Sequence, residues 1–245
     1  METPPIEVHT ELDSTNAEAR RRAEVGVAGP LWITALTQTA GRGRQGRAWQ
    51  TAAGNLAATC LFTTPLPPAQ AAQVSFVAAL AAADLADHYL GQGAGALKWP
   101  NDLMIGGGKG AGILVESGTR SDGDLWLAVG IGVNLAVAPV NLERPAVAFA
   151  EVMEAPPPQP LEALNVLAES FEIWRKLWVE AGFSAIAQAW SARAYGLGQS
   201  CEARLPDRTH LGVAEGLDND GALRLRLADG AVLRITAGDV FFGAV

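Results

Sequence analysis

Residues 41 to 47 read Gly41-Arg42-Gly43-Arg44-Gln45-Gly46-Arg47, three arginines threaded through three glycines in a chain of net charge −8. Glycine lets backbone N–H groups come close to a ligand, and arginine offers planar, permanently charged forks to carboxylate and phosphate oxygens. The apolar, strand-like runs on either side make this a loop between two strands. An anion-holding hairpin is therefore a better reading than a solvated basic turn.

The same residues spell G-x-G-x-x-G, the fingerprint of dinucleotide-binding folds, but the context is wrong. That fingerprint opens a helix and is followed about 20 residues later by an acidic residue for the ribose. Here Ala48-Trp49-Gln50-Thr51-Ala52-Ala53-Gly54 follows, and no Asp or Glu occurs between Arg47 and Asp84. Gly106-Gly107-Gly108-Lys109 similarly fails as a P-loop, because Gly110 rather than Ser or Thr follows the lysine.

With 245 residues, 49% of them hydrophobic, the chain can bury a substantial core. The apolar run Val77 to Leu85 is interrupted by Asp84 and followed by Asp87, short of the ~20 residues a membrane span needs. Met1-Glu2-Thr3-Pro4-Pro5 lacks the basic and apolar regions of a secretion signal, so a cytoplasmic location is expected. Cys60 and Cys201 form no C-x-x-C, and His9, His88 and His210 stand alone, so no protein-ligated metal is expected. The acidic balance argues against a broad nucleic-acid footprint. The Arg20-Arg21-Arg22 run reads as solvated helix surface.

Along the chain, Ile6 to Thr10 reads as a strand. Thr15 and Glu18 then have capping-box spacing for a short helix, so Ser14, Thr15 and Asn16 sit at a helix start and read first as caps. Leu31 to Gln38 and Asn55 to Thr64 are the strands flanking the basic loop. Ala69 to Leu90 has the pattern of one long buried helix. Leu97 to Ile105, a glycine loop, and Ala111 to Glu116 read as strand, loop, strand, and Leu125 to Leu135 as a further strand. Gly130 and Gly132 in that last strand imply either close approach of a ligand or another backbone, or a bulge. After Ala155-Pro156-Pro157-Pro158-Gln159-Pro160, Leu161 to Ala181 reads as an amphipathic helix with Phe171, Trp174 and Trp178 as core contacts, and Ser184 to Ala192 as a shorter one. From Gly196 onward, short strands alternate with turns such as Asp218-Asn219-Asp220-Gly221. The predicted fold class is α+β: a mixed β-sheet with packed helices, plus a small C-terminal β-barrel.

The basic loop, Lys98-Trp99-Pro100-Asn101-Asp102, Lys109-Gly110-Ala111-Gly112-Ile113-Leu114 and Gly130-Ile131-Gly132-Val133-Asn134 occur in an order and spacing that closely resemble the biotin protein ligase family. Asp13-Ser14-Thr15-Asn16 and Gln38 also stand where that family contacts biotin. The resemblance spans most of the chain. It implies a class II synthetase-like biotin/lipoate ligase catalytic domain over residues 1–195 and an SH3-like domain over 196–245. It also implies a two-step reaction: biotin and ATP form biotinyl-5′-AMP and pyrophosphate, and a lysine of a biotin carboxyl carrier domain then attacks, releasing AMP.

By that resemblance Ser14, Thr15, Asn16 and Gln38 hold the ureido end of biotin. Gly41, Arg42, Gly43 and Arg44 belong to its binding loop, Gly112, Gly130 and Gly132 let the backbone approach, and Val133 adds apolar wall. Trp49 stacks on adenine, Asn101 and Asn134 orient the phosphates or the metal, and Arg42, Arg44, Arg47 and Lys109 neutralise the phosphates. Lys109 bridges the biotin carboxylate and the α-phosphate, and Asp102 either takes the proton of the incoming amine or only fixes the turn after Pro100. Mg²⁺ is expected with ATP. Gln45 replaces a residue that is often basic in the family, and Gly106-Gly107-Gly108 a more polar approach to the lysine. With no room before Ile6 for a helix-turn-helix, DNA binding is not expected. A sheet edge leaves room for a homodimer. The rival readings are a lipoate ligase or octanoyltransferase of related fold, and a non-catalytic biotin-binding module.

Overall fold

The computed structural model describes residues 4–140 and 145–243. Residues 1–3, on which part of the N-terminal reading rests, lie outside that range. Strand β1 (Ile6–Leu12) pairs in parallel with β2 (Leu31–Gln38), with helix α1 (Thr15–Glu24) as the crossover between them. Then come β3 (Leu56–Thr64), α2 (Pro68–Ala71), α3 (Val74–Leu90), β4 (Gly95–Lys98), β5 (Asp102–Ile105), β6 (Gly108–Thr119) and β7 (Leu125–Val133). These complete a mixed seven-stranded sheet of order β1-β2-β3-β7-β6-β5-β4.

Strand alternation divides the sheet into two faces. Leu127, Val129, Ile131 and Val133 of β7 enter the large core, which α3 and the long helix α4 (Pro160–Ala181) share, whereas Trp126 and Ala128 turn to a small core with Ala19 and Ala23 of α1. Gly130 and Gly132 continue the α1 face without side chains. Because α1 is only ten residues long, that face is left uncovered beyond its start, and a hollow remains over the glycines.

Several sequence expectations change here. The register of β7 with β3 and β6 runs unbroken through Gly130 and Gly132, so there is no bulge. Residues 97–105 are not one strand: the turn at Trp99-Pro100-Asn101 folds them into the β4–β5 hairpin. The long helix is split after Ala71. By length and apolar composition Pro68–Leu90 passes for a membrane span, more than the Val77 to Leu85 run suggested, but 72% of its apolar window is buried in the fold. It is the core helix. Trp174 is more than a core contact, since its indole N–H donates to Asp84 at 2.6 Å, as does the Ser170 hydroxyl at 2.6 Å.

Helix α4 begins with a capping box between Gln159 and Glu162, and Pro160 sits at its first turn, where no N–H is missed. Helix α5 (Phe183–Ala192) leads to a five-stranded antiparallel sheet formed by β8 (Ser200–Arg204), β9 (Thr209–Leu217), β10 (Leu223–Arg226), β11 (Val232–Ile235) and β12 (Asp239–Phe242), in the order β11-β10-β9-β8-β12. It is tied to the β4–β5 turn where the Trp99 indole N–H donates to the Gly221 carbonyl at 3.0 Å, and Gly221 lies against Phe76 of α3 and Phe183 of α5, which pack edge-on to each other.

Candidate active site

All the expected site residues except Gly41 and Val133 line one cavity of about 260 Å³ over the bare part of the sheet. Its two ends differ in chemistry. The inner end is polar and uncharged, and begins at the start of α1. Ser14, not Thr15, is the N-cap, and no side chain closes the expected capping box. Glu18 pairs instead with Arg21 and Arg22. The free N–H of Thr15 is satisfied from across the sheet, by Gln38 Oε1 at 2.8 Å, and Gln38 Nε2 donates to Thr51 Oγ1 at 2.9 Å.

Asn16 is held on every side. Its Nδ2 donates to the Leu114 carbonyl at 3.2 Å and to Glu116 Oε2 at 2.8 Å, and its Oδ1 accepts from the Thr59 hydroxyl at 2.7 Å. A Cβ on Gly130 would lie 2.1 Å from that Oδ1. Glycine is needed there because the Asn16 carboxamide already fills the space.

At the outer end every cation reaches a carboxylate or carbonyl of the protein. Arg42 donates to Glu116 at 3.0 Å, Arg47 to Asp239 at 2.9 Å, and Arg44 to Asn101 Oδ1 at 3.0 Å, with the Gly238 carbonyl at 3.4 Å. Lys109 Nζ sits 2.5 Å from Asp102 Oδ1. Burial pushes the Arg44 guanidinium below its usual pKa, yet arginine keeps its charge at any physiological pH. The positive charges are thus pre-placed, each with a partner that an arriving anion can replace.

Asp13, next to the N-cap, is bound by Arg21 at 2.7 Å, and this hydrogen bond outweighs burial in lowering its carboxyl from an ordinary 3.8 to about 2. A depressed carboxyl stabilises the fold above about pH 4, and that contribution fades as pH falls toward 2. In Arg21→Ala, an NMR titration should find the Asp13 carboxyl near its ordinary value. Its contribution to acid stability should then disappear.

The Biotin/lipoate A/B protein ligase family pattern matches residues 12–134, and the Biotin protein ligase C terminal domain pattern matches residues 196–243. A biotin--[acetyl-CoA-carboxylase] ligase of Paracoccus denitrificans is 44% identical over 238 residues, covering 94% of this chain and 98% of that protein. The chain belongs to the biotin protein ligase family. A Mycobacterium tuberculosis protein described as biotin--[acetyl-CoA-carboxylase] ligase is 31% identical, over 96% of this chain and 88% of its own. The fold matches the Aquifex aeolicus biotin protein ligase solved with biotin and ATP at a TM-score of 0.81, with 24% identity over 98% of this chain and 99% of that one. The Leishmania major ligase solved with biotinyl-5-AMP matches at 0.60, with 28% identity over 96% and 99%.

In this ligase three expected roles change with the side-chain geometry. Val133 is fully buried on the core face and supplies no side chain to the cavity wall. Gly132 and Gly112 lie beneath the Trp49 indole rather than open to a ligand: a Cβ on Gly132 would meet Trp49 Cε2 at 2.3 Å, and one on Gly112 would meet Cζ3 at 3.1 Å. Gly41 lies behind the cavity, where its carbonyl accepts the Trp49 N–H at 2.9 Å and closes the loop. Gln45 takes φ 56°, ψ 32°, a left-handed conformation uncommon outside glycine.

Sequence reasoning missed Thr51, Thr59, Glu116 and Asp239. Strand alternation could have found Glu116, since Gly112, Leu114 and Glu116 share a face. Asp239 has no local signal, because the second sheet delivers it from 192 residues beyond Arg47.

Proposed function

We propose that this ligase activates biotin with ATP to biotinyl-5′-AMP, releasing pyrophosphate, and then transfers biotin to a lysine of a biotin carboxyl carrier domain, that of acetyl-CoA carboxylase or a related carboxylase. The observation that carries this is a single cavity with a neutral hydrogen-bonding end and a cationic end holding Lys109, Arg42, Arg44 and Arg47. A cyclic urea suits the first end. A carboxylate meeting a triphosphate suits the second.

With both protons of its Nδ2 engaged, Asn16 has only Oδ1 left, and that atom accepts from a ureido N–H. In the first step a biotin carboxylate oxygen bonds to the α-phosphorus as the bond to pyrophosphate breaks. Lys109 and Arg44 hold the two mutually repelling anions together and neutralise the developing charge. Asn101 serves by aiming Arg44. Asn134 spends its Nδ2 on the carbonyls of Lys109 and Val147, leaving a buried Oδ1 with no partner. That atom is an acceptor, so it suits an amino group such as that of adenine and not a phosphate oxygen. Trp49 provides the face on which a base can stack.

In the second step the carrier lysine must lose a proton as its amine attacks the mixed anhydride. Asp102 is the base on this reading, exchanging its Lys109 contact for the amine when Lys109 turns to the nucleotide. Asp102→Asn should slow transfer from preformed adenylate by on the order of a hundredfold, in single-turnover assays. An unchanged rate removes the assignment.

Among the described residues no group of three or more His, Cys, Asp or Glu could hold a metal ion. The carboxylates lining the cavity, Asp102 and Asp239, and Glu116 behind Asn16 each engage a lysine or arginine. Mg²⁺ would therefore come with the nucleotide phosphates, and no step here runs through it.

A dithiolane has neither N–H nor carbonyl to offer the polar end at Ser14, Thr15, Asn16 and Gln38, which disfavours lipoate. A passive binder would have little use for the cationic end. On the same reading the catalytic domain spans 1–195 and the C-terminal domain 196–245. The ligase works in the cytoplasm without binding DNA or membrane, and the β1 edge is available to a second copy. Mass spectrometry of a purified carrier domain incubated with protein, biotin and ATP should find one biotinyl group on lysine. An unmodified carrier would refute the proposal.

A further inference from the structure

Glu116 lies outside every motif that marks the family resemblance, yet its Oε2 accepts from Asn16 at 2.8 Å and from Arg42 at 3.0 Å. It thereby joins the neutral end of the cavity to the basic loop. A carboxylate only accepts, so it dictates which end of the Asn16 carboxamide faces away from the cavity. The Leu114 carbonyl, also an acceptor, makes the same demand, and the Thr59 hydroxyl takes the other end. A carboxamide flipped by 180° would set its oxygen against Glu116 and the Leu114 carbonyl, two acceptors facing a third.

We infer that Glu116 is a positioning residue that fixes the polarity of Asn16, so that the pocket selects head groups presenting an N–H donor, and that it tethers Arg42 at the rim of that pocket. The inference rests on the biotin reading of the cavity. Glu116 touches no reacting atom, and it acts through Asn16 and Arg42. Its loss leaves the Leu114 carbonyl and the Thr59 hydroxyl to orient the amide and removes the carboxylate that Arg42 donates to, while Lys109, Arg44 and Arg47 keep their partners.

The test is calorimetric binding of biotin and of ATP to wild type, Glu116→Ala, Glu116→Gln, Asn16→Ala and the Glu116→Ala/Asn16→Ala double variant. Glu116→Ala should weaken biotin binding roughly tenfold to a hundredfold, with ATP binding within about threefold of wild type. Glu116→Gln, whose amide oxygen can still accept from Asn16, should recover most of the loss. In the Asn16→Ala background the Glu116 substitution should cost clearly less than in wild type, because only the Arg42 tether is left to lose. Equal losses for biotin and ATP, additive losses in the double variant, or biotin affinity unchanged in both Glu116 variants would overturn the inference. Absence of biotin binding by the wild-type protein would instead remove the functional reading beneath it.

Discussion

Lys109→Ala is expected to reduce biotin-dependent pyrophosphate release by on the order of a thousandfold, the loss typical when a pre-placed charge is removed from a developing oxyanion. The lysine stands at the cationic end, 2.5 Å from Asp102 and 5.6 Å from the centre of the Trp49 ring. It is therefore the amine best placed to swing between a carboxylate of the protein and a carboxylate or phosphate of the substrates. Its removal also takes the Lys109 ammonium away from Asp102, whose side chain is 9% exposed. That costs roughly 1–3 kcal/mol, between the ranges for exposed and buried pairs. A double variant that adds Asp102→Asn should adenylate no better than Lys109→Ala alone. A rate within about fivefold of wild type would remove Lys109 from the chemistry.

The second large effect comes from a single methyl group. In Gly130→Ala the new Cβ would lie 2.1 Å from Asn16 Oδ1, and Asn16 cannot retreat without breaking its bonds to Thr59, Leu114 and Glu116. Overpacking at a rigid site costs about 1–3 kcal/mol, or roughly 2–10 °C in Tm for a chain of this size. Biotin affinity should fall by about a hundredfold or more, since the displaced carboxamide occupies or misaligns the ureido end. Undiminished biotin affinity in a folded Gly130→Ala protein would mean that the vitamin does not bind beside Asn16.

Much of this fold could be read directly from residue patterns. The basic hairpin lies between two strands because Leu31 to Gln38 and Leu56 to Thr64 carry β-rich runs on either side of it. The core helix and α4 follow from unbroken apolar spacing, and the change to short strands after Gly196 marks the second sheet. What escaped was information that no local pattern carries. The strand expected through Leu97 to Ile105 breaks because Pro100 lacks an N–H for the ladder. Thr15 and Glu18 have capping-box spacing, but Gln38 reaches in from β2 and Arg21 and Arg22 draw Glu18 away.

For the site the lesson is about faces. Gly130 and Gly132 point toward the cavity, so by alternation Val133 had to point into the core, and Glu116 had to join Gly112 on the cavity side. Family resemblance named segments that line one cavity without telling these two directions apart. The glycines themselves were read as room for a ligand, whereas Asn16 and Trp49 take that room and present their own surfaces in its place. Asp239 could come only from the tertiary structure, which brings the second sheet against Arg44 and Arg47.

The central claim is that one cavity joins the biotin carboxylate to the α-phosphate of ATP before any carrier is present. Its most direct test is exchange of labelled pyrophosphate into ATP by the purified protein, with biotin, with lipoate, and with neither acid. Exchange with biotin alone is the predicted result. Exchange that requires lipoate, or none with either acid, would contradict it.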